Sequence, residues 1–458
     1  MRRKKQVVLG FFVLLFLCGL SQPVQAKQKG HYVNRTQITD MVNTDQGICF
    51  RWKKRKNVDG YAIFRDGTLI KKIAANQKPR YLDKKADKNG QIYKYWICTI
   101  QKRDKQIRFG KPSQTRIQVY LEKNALVMVR RKGNNTDLSW TKNTKGSGYQ
   151  IAFSRKPNPK KGQVITISGR QKSACATAKL TSKKSYYVWV RTYRRGKKWN
   201  SYSPWSRGCK VIGYESGWEF ADRSAIHSDS ATLYFTDQRK RKDKIICINA
   251  GHGTVGGEKV KTYCHPDQTP KVTGGSTAKG AAMATAVSAG TSMLDGTPER
   301  NVTLKVALAA KEKLLQAGYH VLMIRETEDI QLDNVARTVM ANQNADCHIS
   351  IHYDSSANDK GAFYIGVPDN ASYRAMYPVS KNWKKHNALG ESILAGFKES
   401  GVKIMRSGSM RIDLTQTSYS TIPSVDVEVG DRGSDYSAAS LEKIAKGIVS
   451  GLDAFYML

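Results

Sequence analysis

The run Ile245-Ile246-Cys247-Ile248-Asn249-Ala250-Gly251-His252-Gly253 decides the fold class of the C-terminal half of this 458-residue chain. A short apolar run closed by glycine predicts a buried strand, and the turn behind it projects His252 beyond the sheet edge. Open α/β sheets keep their ligand sites there, outside the carboxyl ends of strands. A glycine–histidine–glycine turn also occurs in plain loops, so the meaning of His252 depends on what the rest of the chain supplies.

Downstream, strands alternate with long amphipathic helices, a pattern that predicts an α/β domain with a twisted sheet flanked by helices over 242–458. Thr297-Pro298-Glu299 opens a helix, with threonine as cap and proline at the first helical position, and the helix stops at Gly318. Strands are expected at 319–325, 347–352 and 424–429, and helices at 332–342, 380–400 and 441–455. Residues 254–296 are rich in Gly, Ala, Ser and Thr with little periodicity, and read as either an active-site lid or a disordered insertion.

Upstream, residues 40–120 and 124–213 repeat each other weakly. Trp52 precedes Gly60-Tyr61 as Trp140 precedes Gly148-Tyr149, and Tyr93, Tyr95 and Ile97 are answered by Tyr186, Val188 and Val190. Short alternating strands between turn residues predict two all-β sandwiches, 27–122 and 123–213. The pattern resembles tandem fibronectin type III modules, which implies spacing or attachment. Residues 214–241 read as a linker ending in the basic run Arg239-Lys240-Arg241-Lys242.

The first residues are a targeting segment. A basic head, an apolar run from Val7 to Leu20 and Val24-Gln25-Ala26 read as a signal peptide cleaved after Ala26. No later apolar stretch reaches the length of a membrane helix, so no transmembrane segment is expected. The net charge of +40 is concentrated in one region: residues 27–215 hold 45 Lys and Arg against 10 Asp and Glu, and residues 216–458 hold 28 against 27. An exported basic region of this kind faces an anionic surface, which is a teichoic-type wall polymer, acidic lipid headgroups or extracellular nucleic acid, with the anionic wall polymer the expected partner; the ordinary alternative is a solvated basic surface with no partner. Specific nucleic-acid binding is not expected, because no reading motif accompanies the charge. Seven cysteines follow the signal, an odd number spread over several domains. Alternation places Cys49 and Cys98 on the outward faces of their strands, and free thiols are expected.

Three groups stand at element ends: His252 after a strand, Glu299 in the first turn of a helix, and His352 after a strand. Two imidazoles and a carboxylate make a zinc site with a fourth position open, the arrangement of a hydrolase. Singly each has an ordinary alternative, a turn histidine or a glutamate favourable to the helix dipole. His348 shares a face with His352 but lies two pleats away, roughly 13 Å. Cys264-His265 has no second ligand pair at metal spacing, and His320 and His386 read as surface or packing residues.

Residues 244–456 resemble the zinc-dependent N-acetylmuramoyl-L-alanine amidases of the type 3 family. The matching elements are I-N-A-G-H-G at 248–253, E-R-N at 299–301, Ala317-Gly318-Tyr319, Arg325, Arg337, Ala341-Asn342, Ala345-Asp346, S-I-H at 350–352, Gly361 and P-S-V-D-V-E-V-G at 423–430. The resemblance implies Zn2+ bound by His252, Glu299 and His352, and Glu428 as the catalytic acid/base. It also implies a peptidoglycan substrate, cut between N-acetylmuramic acid and L-alanine. Strand alternation puts Asp426 on the same face as Glu428, as the one nearby rival for the proton-transfer role. Thr254, Asp354 and Asp431 depart from the family pattern. The expectation is a secreted, wall-associated peptidoglycan hydrolase; the alternatives are an inert or autoinhibited wall-binding protein and a zinc peptidase acting within the stem peptide.

Overall fold

A computed structural model describes residues 35–103, 106–168, 175–179 and 185–457, and the leader with its cleavage site lies outside them. The described chain forms two compact units. One contains residues 52–79 and 95–115. Its strands Gly60–Arg65 and Thr68–Ala74 pair antiparallel, and Gly60–Arg65 also pairs with the second half of the strand Ile92–Arg103. Tyr61, Ile63, Tyr95 and Ile97 are buried on one face, with Trp52 packed 5.4 Å from Tyr61. The other face is covered too. Ala62, Cys98 and Ile100 form a small cluster beneath Phe64 and Trp96, whose rings stack 5.5 Å apart. Cys98 is therefore buried, where alternation alone predicts it outward.

The second unit holds residues 39–51, 80–94 and 116 onward. Cys49 lies here and is also buried, with the Arg80 guanidinium donating to its sulfur at 3.1 Å. All seven described cysteines are free thiols. Strands Leu126–Lys132, Asn135–Trp140 and Cys175–Lys179 make a three-stranded antiparallel sheet. Strands Gln163–Ser168, Gly148–Ser154, Tyr186–Arg194 and Cys209–Gly213 begin a larger sheet that does not stop at residue 213.

The stretch read as a linker carries strand β1 (Ser230–Tyr234), antiparallel to Cys209–Gly213 on one side and to β5 (His320–Met323) on the other. Beyond β5 the sheet continues through β2 (Ile245–Ala250), β6 (Cys347–Asp354), β9 (Ser424–Asp431), β7 (Ala362–Gly366) and β8 (Ile404–Arg411), and with the short Ser201–Tyr202 beside Tyr186–Arg194 it has twelve strands among the described residues. Pairs β5–β2–β6–β9 are parallel, and β9–β7 is antiparallel. All five residues of β1 are buried. Ser-Ala-Thr-Leu-Tyr lacks the β-branched run that marks a buried strand, and only its two neighbours make it one.

Helices cover both faces of the parallel segment. Ile246, Ile248, Ile349, Ile351, Val425 and Val427 pack against α1 (Glu299–Gln316), α4 (Val379–Glu399) and α6 (Ala438–Tyr456). On the opposite face Cys247 and Leu322 meet Ala336 and Met340 of α2 (Asn334–Asn344), and two short helices, α3 (Ala371–Ala375) and α5 (Thr415–Tyr419), complete the α-helices of this part of the chain among the described residues. The polar partners of the β6 and β9 alternation, Ser350, His352, Asp426 and Glu428, therefore share the α2 face. Residues 254–296 are folded, with β3 (Lys261–Tyr263) paired to β4 (Met283–Thr285) and Cys264, His265, Ala286, Val287 and Met293 buried. Among the described residues no helix is long and apolar enough to cross a membrane.

Candidate active site

At the end of β2 the chain must turn within a space already filled by side chains. A Cβ on Gly251 would lie 2.3 Å from Cε1 of His352, so glycine is what admits that ring. His252 follows in the left-handed region at φ 62°, a cost that non-glycine residues bear mostly at functional positions. Two fully buried guanidiniums hold the turn. Arg325 donates to the carbonyls of Ala250 and Gly251, and Arg337 to those of Ala250 and His252. Thr254, one departure from the family pattern, accepts from Arg337 at 2.9 Å and donates to the Ile330 carbonyl at 2.8 Å. Its hydroxyl thus locks the far end of the same turn.

His252, Glu299 and His352 converge, their nearest ligand atoms all within 4.8 Å of one another. His252 Nε2 is 2.9 Å from Glu299 Oε1, and His352 Nδ1 is 3.0 Å from His252 Nε2 and 3.2 Å from Glu299 Oε1. The other ring nitrogens fix the tautomers. His252 Nδ1 faces the Ser288 carbonyl at 2.9 Å, and His352 Nε2 faces the Asp426 carboxylate at 3.6 Å. In the neutral rings that a metal requires, the Ser288 carbonyl calls for the proton on Nδ1 of His252, and the Asp426 carboxylate favours it on Nε2 of His352 by electrostatics across 3.6 Å, which leaves each inner nitrogen a lone pair. Three electron-rich atoms then point at one place with no N–H between them, an arrangement that a cation satisfies. Two N and one O donor at separations near 3 Å fit a small divalent ion such as zinc.

Without an ion the negative charge of the site retains a proton on His352, which a metal would displace. Burial pushes the His352 imidazole down, but the carboxylates of Asp426 and Glu299 outweigh it and hold its pKa up at about 10. For Glu299 burial favours the neutral acid, and the two imidazoles reverse this and keep it well below the ordinary carboxylate range. Glu428 sits directly across from His352 in the β6–β9 register. Burial, reinforced by Asp426, raises its carboxyl well above the ordinary value, and its Oε2 is buried without a hydrogen-bond partner.

Asp354 and Asp431, the other two departures, are cross-strand partners and both reach Lys360. The Lys360 ammonium contacts Asp354 and lies 3.4 Å from Asp431, whose carboxylate also accepts the Gly361 amide at 3.2 Å. One lysine offsets the repulsion between two facing carboxylates, which accounts for their occurring together.

Four further histidines serve packing or hydrogen bonding. His348 is fully buried, His386 accepts from the Ser424 amide at 2.9 Å, and His320 accepts from the Thr236 amide at 3.1 Å. His265 pairs with Asp413 at 3.2 Å and Thr269 at 3.0 Å, and Cys264 donates toward the Ala281 carbonyl. Sequence reasoning missed Asp413, whose isolated position carries no local signal, and Ser288, which lies in the aperiodic stretch.

Residues 246–453 match the family described as Amidase_3, N-acetylmuramoyl-L-alanine amidase. No curated protein matches the chain. Among solved structures, the amidase Ami1 of Mycobacterium abscessus is 20% identical, with a TM-score of 0.38, covering 47% of this chain and 99% of that one. AmiC2 of Nostoc punctiforme is 18% identical with a TM-score of 0.34, covering 48% and 100%. The catalytic domain of CwlV from Bacillus (Paenibacillus) polymyxa var. colistinus is 19% identical with a TM-score of 0.32, covering 47% and 98%. With the family pattern carried through residues 246–453, this part of the chain is an N-acetylmuramoyl-L-alanine amidase domain.

Proposed function

We propose that the chain is an exported, zinc-dependent peptidoglycan hydrolase that cuts the amide between the lactyl group of N-acetylmuramic acid and L-alanine of the stem peptide. The observation that carries this reading is the convergence of His252, Glu299 and His352 beside the half-buried carboxyl of Glu428. Zinc held by those three residues supplies a Lewis acid that polarises the scissile carbonyl and makes water acidic. Glu428 takes the proton of the attacking water and returns it to the leaving amine of L-alanine, from its position directly across from His352 in the sheet. The Asp426 carboxylate, 3.6 Å from Nε2 of His352, acts on that ring through its charge. Residues 242–458 are the hydrolase, and residues 27–122 and 123–213 are fibronectin type III-like modules that hold it to an anionic wall polymer through their excess of cations.

Full-length protein loaded with zinc should release free L-alanine amino termini from purified peptidoglycan. Glu428→Gln should lower kcat by roughly 10²–10⁴-fold while its zinc content stays at the wild-type level. Equal activity in wild type and variant sinks the assignment of Glu428. Product masses showing shortened stems still joined to glycan make the enzyme a peptidase, and zinc-loaded protein that releases nothing favours a wall-binding protein.

A further inference from the structure

The insertion does more than border the site. It leaves the site after Thr254, folds into the β3–β4 hairpin, and is fixed at a distance by a buried carboxylate. Asp413 accepts from the Val272 amide at 2.6 Å and pairs with Lys271 at 3.0 Å and His265 at 3.2 Å, all three side chains buried. The chain then returns as Ser288-Ala289-Gly290-Thr291 and lies directly against two of the three convergent residues. The Ser288 carbonyl holds Nδ1 of His252, and the Thr291 amide donates to Oε2 of Glu299 at 2.9 Å. The Glu299 amide donates back to the Thr291 carbonyl at 2.9 Å. Each contact takes the outward atom of a ligand residue and leaves the inward atom, Nε2 or Oε1, to converge, Oε1 also accepting from the Tyr353 amide at 3.1 Å.

Gly290 is the point at which the strap passes between those two side chains. Its φ is +80°, and a Cβ built there would lie 2.8 Å from Glu299 Oε2 and 2.8 Å from His252 Cδ2. Neither neighbour can yield without moving a ligand atom. We infer that residues 288–291 are the outer shell of the metal centre, positioning His252 and Glu299 for the ion, and that the insertion is a fixed wall of the site with no role as a removable plug. The inference rests on the reading of His252, Glu299 and His352 as a zinc site.

Gly280 provides the control. It lies in the same insertion with φ +85° and nothing within 4 Å of a built Cβ, so alanine there carries similar backbone strain without touching the site. In full-length protein, Gly290→Ala should weaken zinc affinity 10–100-fold against a chromophoric chelator and shift the visible spectrum of the cobalt-loaded form. Gly280→Ala should leave both as in wild type, and the two variants should unfold at similar temperatures in excess chelator. Equal zinc affinity and equal cobalt spectra for the two variants overturn the inference. Should Gly290→Ala not fold, ¹⁵N histidine spectra of wild type decide. A proton on Nδ1 of His252 in the zinc-loaded protein supports the Ser288 contact, and a proton on Nε2 overturns it. Wild type that takes up no zinc overturns the metal reading itself, a result distinct from zinc uptake that ignores Gly290.

Discussion

Gly251, Gly290 and His252 show how tightly single positions are constrained around the candidate site: two glycines make room for rings and carboxylates, and one histidine accepts a left-handed backbone. Residues farther away carry a different liability. His348 and His386 are buried as neutral rings, and burial pushes both down to about 3, helped by Arg337 for His348 and by Lys385 for His386. Their unfolded-state value is near 6.5, so between about 6.5 and 3 the unfolded chain binds more protons than the folded one. Stability from these groups is fully present above about 6.5 and is lost as pH falls through that window, at about 1.4 kcal/mol per pH unit for each ring. Urea unfolding from pH 7 to pH 4 should show this acid limb, and His386→Gln, which keeps an acceptor for the Ser424 amide, should flatten it. An identical slope in wild type and variant would show that His386 does not titrate on unfolding.

Between elements, α4 and α6 approach one another closely through glycine. Gly396 of α4 faces Gly447 and Gly451 of α6, and a Cβ on Gly396 would sit 2.2 Å from the Gly447 carbonyl oxygen and 2.5 Å from the Gly451 nitrogen. Both are backbone atoms, so the helices themselves would have to part. Gly396→Ala should cost about 1–3 kcal/mol or more, read as a lower urea midpoint with an unchanged m value. Much at this scale was legible from periodicity alone. The expected helix at 380–400 is α4 at Val379–Glu399, and the expected strand at 347–352 is β6 at Cys347–Asp354. Strands β1, β7 and β8 were not legible, because their short or polar-rich segments become strands only through pairing with neighbours distant in sequence. Cys49 and Cys98 were misplaced for a related reason. Alternation says which residues share a face, and whether that face is covered depends on the packing above it.

Across the whole second unit, the sheet that begins in residues 148–213 runs without a break into the amidase domain, and a buried polar network reinforces the seam. The Lys311 ammonium of α1 donates to the Val127 carbonyl at 2.7 Å and pairs with Glu326 at 3.0 Å. Tyr234 of β1 donates to Glu326 at 2.8 Å and accepts from the Val129 amide at 2.8 Å. Lys311→Met would leave Glu326 buried without its cation, for about 3–5 kcal/mol of destabilisation. Double substitution with Glu326→Gln should recover part of that loss, and additive losses would show that the pair is not coupled. The cation excess of residues 27–215 makes a separate prediction: binding of the full chain to purified wall should weaken steadily between 0.05 and 0.5 M salt, a range chosen for a Debye length falling below about 10 Å. Binding unchanged by salt would remove the electrostatic account of attachment.

Sequence by itself determined the α/β class of the C-terminal half, the sheet-rich character of the N-terminal region, and the residue types that occupy the candidate site, because strand runs, helical periods and glycine–histidine turns are local patterns. Only tertiary structure decided that three lone pairs meet, that one lysine joins Asp354 to Asp431, and that residues 254–296 are a wall tied to Asp413. Those outcomes depend on groups such as His252, Ser288, Glu299 and His352, brought within about 3 Å by strand register and burial, which act between positions too far apart in the chain for any local pattern to record.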